Sequence, residues 1–416
     1  MGGYRLRRGG ATGVHDELYA SCAVINDGQT EIALLSLDLL CLPHTVVDHI
    51  KAGIFAQTKI PSELTLIACT HTHSGPGTLG LSGGSAANDE YLASLSDVIS
   101  SLVAAAQGRL SQVNISIVQV DIPDIAFNRR LKLKDGSSAI NIDRIDPQEI
   151  AEAGETDPCG TAIFFEADTH TAGIIVNFTL HPTVLGEHNY LYSRDYPGYL
   201  VDYLQEDLPD QPVSLFFNGA FGNINQIKLP GEWIATFQEA QSIGEAIARQ
   251  ILMGYSSRTT VQNTEITASS KTIQIPLRLP ESYKYPDRPD ATESYRTRPS
   301  ETHHSPEKEN IFKTEAQHLH SMAPELAELQ VFQLGEIELI ALPGEIFVEL
   351  GLEIKKRSAS PYSVIVGNAN GYIGYVPTES SFHEGGYETR LSLTSRLDPK
   401  AGEILLTNID QVRNQK

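Results

Sequence analysis

Four separated pieces of the chain carry side chains able to do chemistry. They are Thr70-His71-Thr72-His73-Ser74-Gly75-Pro76-Gly77, Leu180-His181-Pro182, Leu342-Pro343-Gly344-Glu345 and the tyrosine-rich stretch from Tyr372 to Tyr387. Each lies at the end of an apolar run of the kind that forms a strand. Imidazoles, a carboxylate and phenols are a donor set sufficient for one zinc ion. Such an ion polarises a carbonyl and activates water, so the chemistry these residues would support is metal-assisted hydrolysis. Taken singly, each piece also has a plainer reading. The histidines around Thr72 serve equally as loop hydrogen-bonding residues, and His181 as a satisfied structural histidine. Glu345 suits the acidic first turn of a helix, and Tyr372, Tyr375 and Tyr387 suit packed aromatic contacts.

His71 and His73 stand two apart where the apolar run 64–70 meets Gly and Pro. On a continuing strand both rings would face one side and reach one site, and Gly and Pro then open a loop. His181 closes the run 173–180, at the strand end where crevices form in α/β folds. Glu345 follows the run 340–344 and is expected to open a helix. A polar loop, Asn218 through Gln226, follows the run 213–217. Its glycines let the backbone approach a ligand closely, and its N–H groups suit an oxyanion. It contains no serine or cysteine, so it offers no nucleophile; a plain strand–helix connection is the other reading.

The elements that must position these residues are legible as alternating periodicities. Strands are expected over 31–40, 64–70, 115–122 and 213–217. Hairpins are expected over 161–166 with 173–180 and over 327–341, and a half-exposed strand over 260–276. Helices are expected over 44–58, 89–110, 199–208 and 232–253. Hairpins beside strand–helix–strand units predict an α/β fold with mixed sheets flanked by helices, as one large domain over 1–416. Residues 279–317 hold many Pro, Glu, Lys, Arg, Ser and Thr and almost no aliphatics, which predicts a polar surface insertion, helical near its end.

Lys and Arg number 31 against 52 Asp and Glu, a formal charge of −21 that disfavours nucleic acid or an anionic membrane surface as main partner. Cys22, Cys41, Cys69 and Cys159 show no CxxC spacing, which fits a reduced compartment or buried thiols and gives no disulfide framework. No apolar run reaches the length of a transmembrane segment, and the basic N-terminus has no apolar segment behind it. A cytoplasmic location is expected; the oligomeric state is not legible.

With these residues in view, the chain resembles the catalytic domain of neutral (non-lysosomal) ceramidases and ceramidase-like proteins. The resemblance runs through Gly13-Val14-His15-Asp16, the octet around His71, Asn128-Arg129, Leu180-His181 and Asp195-Tyr196-Pro197-Gly198-Tyr199. It continues with Gly222-Asn223, Pro343-Gly344-Glu345 and the tyrosine stretch, in unchanged order over nearly the whole chain. It implies a zinc held by His71, His181, Glu345 and Tyr375, with Tyr372 as the alternative phenol. It further implies His73 as the proton-transfer group, and Arg129 and Tyr387, with Asn225 as an amide donor, around the oxyanion. The implied reaction is hydrolysis of an N-acyl amide by zinc-bound hydroxide. Three departures from the family are expected: Asn225 stands where the family carries a serine, an opening strand is missing or shortened, and no immunoglobulin-like C-terminal domain is expected. The substrate expected is therefore a small-molecule or lipid-like amide. Hydrolysis, acyl transfer or cyclisation of a small soluble amide, ester or lactone is an alternative, and non-catalytic ligand binding a second.

Overall fold

The computed structural model describes residues 1–5, 7, 9–80, 86–141, 146–228, 233–278, 306–319 and 322–415. The strand Glu31–Leu37 is buried on both sides. Ile32 and Leu34 enter a central apolar cluster, whereas Ala33, Leu35 and Leu37 pack beneath helices; a strand sends successive side chains to opposite faces. The same division recurs in two further sheets. Ile163, Ile175 and Leu215 point to the centre while Phe164, Ile174 and Phe216 point outward. Phe332, Leu339 and Val364 do the same against Val331, Ile340 and Ile365. Three sheets thus share one interior, and helices cover their outer faces. This explains the near-continuous apolar runs in the sequence.

The sheets are mixed. A three-stranded sheet orders Ala20–Asn26, Glu31–Leu37 and Thr65–Cys69, antiparallel then parallel. A five-stranded sheet orders Val213–Asn218, Thr171–Phe178, Cys159–Glu166, Asn114–Asp121 and Thr259–Thr260, with only the first pair parallel. A four-stranded sheet orders Ile266–Ile275, Glu325–Leu334, Ile337–Ala341 and Tyr362–Val366, the last pair parallel. The expected hairpins 161–166 with 173–180 and 327–341 are both present.

Helix positions follow their patterning. The helix Phe237–Gly254 buries Ala240, Ile243, Gly244, Ile247, Ala248 and Ile251, the three-and-four spacing of one face. Its cap residue Thr236 accepts from the Glu239 N–H. A Cβ at Gly244 would lie 2.6 Å from the Tyr196 carbonyl, so the absent side chain sets how closely this helix meets Tyr196–Asp207. The helix His44–Thr58 has the expected bounds. Tyr196–Asp207 begins earlier than periodicity indicates, because Asp195, at φ 58°, caps it with Pro197 in the first turn. Within the expected insertion, Pro306–His318 is a helix, and 279–305 lies outside the described residues. Among the described residues no helix is long and apolar enough to cross a membrane.

The expected position of Glu345 is overturned. Glu345 does not open a helix: Glu345–Ile346 is a short strand paired in parallel with Tyr375–Val376, and the helix starts at Val348. The Glu345 N–H donates to the Gly374 carbonyl rather than lying free in a first turn. Glu345 and Tyr375 are therefore register partners.

Candidate metal centre

His71, His181 and Glu345 each lie just beyond a strand that has a parallel neighbour: Thr65–Cys69, Thr171–Phe178 and Ile337–Ala341. Crevices at the carboxyl ends of parallel strands are the usual ligand sites of such sheets. The strand before His71 ends at Cys69, and His71 takes a left-handed backbone, φ 73°. The expected same-face alternation of His71 and His73 is thus replaced by a turn. For a non-glycine residue this conformation costs on the order of 1–2 kcal/mol. It is held by the His71 N–H on the Leu39 carbonyl and the Thr72 hydroxyl on Ser193 O.

The imidazoles are oriented from behind. His71 Nδ1 lies 2.8 Å from Leu40 O and His181 Nδ1 lies 3.1 Å from Phe221 O. A proton on each Nδ1 satisfies these carbonyls and leaves each Nε2 a lone pair, the arrangement found at histidine metal ligands. Both lone pairs converge on Glu345: His71 Nε2 is 3.6 Å and His181 Nε2 3.3 Å from Oε2. The other oxygen, Oε1, accepts the Tyr372 hydroxyl at 2.6 Å. Buried His71 Nε2, both ring nitrogens of His73 and Glu345 Oε2 have no hydrogen-bond partner. Buried polar atoms are rarely left so, and the ligating atoms of His71, His73 and His181 lie within 4.8 Å of one another. The donor set fits a metal ion.

Electrostatics agree with neutral imidazoles beside an ionised carboxylate. Burial pulls His71 down to about 4 and lowers His181 and, further, His73. Burial alone would raise Glu345, but His71, His181 and the Tyr372 hydroxyl hold it down at about 2. Ligands in these states need shed no proton to bind a cation.

The remaining expected residues surround this cluster. Arg129 donates from Nη2 to the Tyr375 hydroxyl at 3.1 Å, and the Tyr375 and Tyr387 rings meet edge to face at 5.8 Å. A cavity of about 140 Å³ is lined by His73, Arg129, His181, Asn225, Tyr375 and Tyr387 among others. Asn225 is already engaged: its Nδ2 donates to Asn141 Oδ1 at 2.8 Å, and its Oδ1 accepts from Asn141 Nδ2 at 2.8 Å and from the Ile227 N–H. Only one of its N–H groups stays uncommitted.

Sequence reasoning missed three contributors. Glu388, fully buried, takes Arg129 Nε at 2.7 Å and Arg130 Nη1 at 2.9 Å. The adjacent arginines were a signal that a buried counter-charge was needed. Asn368 donates to Leu40 O at 2.7 Å and lies 3.3 Å from His71 Nδ1. The N-terminal segment closes over His73. Arg7 donates to the Gly2, His73 and Gly186 carbonyls, and the Tyr4 ring lies 4.8 Å from the His73 ring.

Mixed α/β sheets thus carry, at their strand ends, a buried histidine–carboxylate cluster able to hold a metal ion. The sequence profile of the neutral/alkaline non-lysosomal ceramidase family, N-terminal region, matches residues 1–242, and the chain belongs to that family. It is 23% identical over 460 aligned positions to the neutral ceramidase of Pseudomonas aeruginosa, covering 93% of this chain and 66% of that protein, just under two thirds of its length. The crystal structure of neutral ceramidase from Pseudomonas aeruginosa superposes with a TM-score of 0.75 at 18% identity, over 99% of this chain and 71% of that one. A structure described as ceramidase complexed with C2 gives 0.73 at 18% identity, over 98% and 71%. At these identities the superpositions establish the shared fold.

Proposed function

We propose that the chain is a zinc-dependent amidohydrolase cleaving an N-acyl amide bond. The observation that carries this reading is the convergence of His71 Nε2, His181 Nε2 and Glu345 Oε2, with each imidazole tethered through Nδ1 to a backbone carbonyl. His71, His181 and Glu345 would hold the ion. Tyr375 would be the fourth ligand, since it lines the cavity and sits in register beside Glu345. Tyr372 instead braces the far oxygen of Glu345. Bound zinc supplies Lewis acidity and lowers the pKa of a coordinated water to about 7.

The protein's own groups do the rest. Arg129, oriented by Glu388, directs its guanidinium beside Tyr375 toward the carbonyl oxygen of the substrate. Tyr387 stands on the same cavity wall. Preorganised donors of this kind are worth about 3 kcal/mol each in the transition state. His73, neutral and with both ring nitrogens unpartnered, would take a proton at its free nitrogen and return it to the leaving amine. The uncommitted N–H of Asn225 adds a weaker donor.

Metal analysis of purified protein, followed by hydrolysis of a panel of N-acyl amides, tests this. About one equivalent of zinc is expected, lost in His71→Ala together with activity. Substoichiometric zinc unaffected by His71→Ala would refute the reading. Zinc without hydrolysis of any amide would leave a ligand-binding protein.

A further inference from the structure

Gln226 directly follows Asn225 and lines the same cavity. Its side-chain oxygen and nitrogen are both buried, and neither has a hydrogen-bond partner. Leaving a buried amide unpaired is costly, so an amide with both functions idle at a cavity wall implies a ligand that completes it. The neighbouring residue displays the complement. Asn225 and Asn141 form a reciprocal pair, each amide donating to the other at 2.8 Å. Gln226 lacks only such a partner.

The rest of the wall restricts what that partner is. Arg5 is paired with Glu315, and Arg129 with Glu388, so both cations are neutralised from behind and call for no anionic ligand. The Tyr4 hydroxyl is buried and unpartnered, and burial pushes its pKa up, so it stays a neutral donor. Phe312 and Trp233 supply apolar surface. The cavity holds about 140 Å³; a cavity of about 150 Å³ accommodates benzene. That space suits a compact polar group.

We propose that the site selects small, neutral N-acyl amides bearing a second amide, and that Gln226 is the specificity-determining residue, reading this carboxamide through a reciprocal donor–acceptor pair. The proposal rests on the hydrolase reading for turnover, but not for binding.

The test compares N-acetylglycinamide with its isostere N-acetylisobutylamine, in which an isopropyl group replaces the carboxamide, and with a long-chain ceramide in mixed micelles. Binding is measured by calorimetry and hydrolysis by amine release, on the zinc-loaded full chain. Wild type is expected to bind the carboxamide about tenfold to a hundredfold more tightly than the isostere. Gln226→Leu should abolish that preference while holding affinity for the isostere within about twofold, since a similar volume is kept. Gln226→Asn, which keeps the amide on a shorter stem, should retain part of it. Thermal melting establishes that each variant folds. Equal binding of the two small amides, binding of neither, a preference surviving in Gln226→Leu, or ceramide as the best substrate each overturns the proposal. Gln226-dependent binding without amine release leaves it standing and removes the hydrolase reading instead.

Discussion

Replacing Glu388 by Gln tests whether one buried carboxylate both stabilises the fold and aims the Arg129 guanidinium. Its two oxygens take Arg129 Nε at 2.7 Å and Arg130 Nη1 at 2.9 Å, with no exposed surface. Glutamine keeps the shape and one acceptor but removes the charge and places an NH2 against a guanidinium. Breaking a buried pair by removing one partner costs about 3–5 kcal/mol. Here Arg130 also contacts Glu384 and the Gly385 carbonyl, so the lower end of that range is expected. Urea denaturation reads the loss as a lower midpoint at unchanged slope. Burial works to raise Glu388, but Arg129 and Arg130 hold it below the ordinary carboxylate value. Its folded state therefore binds fewer protons than the unfolded chain as pH falls below about 4.3. The stability gap between wild type and Glu388→Gln should be full above that pH and narrow as pH falls through the folded pKa. Amide hydrolysis should drop about a hundredfold in kcat, the scale of losing one oxyanion donor. A gap below 1 kcal/mol that is flat with pH, or full activity in the variant, would refute the reasoning.

Three other perturbations address the surroundings of the site. Gly3 has φ +98°, and a Cβ there would run into the His73 ring. Gly3→Ala should cost about tenfold in kcat with a much smaller fractional change in KM, and equal losses in both would argue against displacement of His73. Tyr372→Phe removes the 2.6 Å hydrogen bond to Glu345 Oε1 and should weaken zinc affinity about 10- to 100-fold. An unchanged affinity in competition with a chelator would show that this hydroxyl does not brace the ligand. Lys51 bonds both oxygens of Glu328 at 2.9 and 2.8 Å in the interior. Lys51→Met should destabilise by about 3–5 kcal/mol, and adding Glu328→Leu should restore much of it; a mild single variant by denaturation would sink that account.

What could be read from the sequence divides along a physical line. Helices and strands follow from local periodicity, and Phe237–Gly254 and the hairpin Glu325–Leu334 with Ile337–Ala341 required only that. His71 and His181 could be singled out because each stands just past an apolar run, although each alone also had a structural reading. The backbone that aims them was not legible. His71 turns at φ 73° instead of continuing its strand, which no residue type announces. Glu345 was legible as a carboxylate but misplaced, since acidic residues favour helix starts and the parallel pairing with Tyr375 is a tertiary event. Asn225 shows the same limit. Its engagement by Asn141, 84 residues away, exists only once the two loops meet.

Buried polar side chains also join the sheets to one another and to the turn that carries His71. Asn177 donates to both Phe217 O and Ile365 O, bridging the five- and four-stranded sheets. Ser36 reaches Phe216 O from the third sheet. From the helix His44–Thr58, Lys51 binds Glu328, Gln330 donates to Glu328, and Asn370 donates to Gln330 at 2.6 Å. Asn368 and Asn370 hold φ 54° and 56°, values that asparagine tolerates better than most residues. Asn368 then meets Leu40 O, the same carbonyl that takes His71 Nδ1. Buried polar chains of this kind are costly when any member is left unpaired. Lys51 is thus linked to the turn that carries His71 by a series of buried hydrogen bonds, and its members hold further partners that tie the series to the strand Thr65–Cys69: Gln330 donates to the Thr65 carbonyl and Asn370 accepts from the Ile67 N–H.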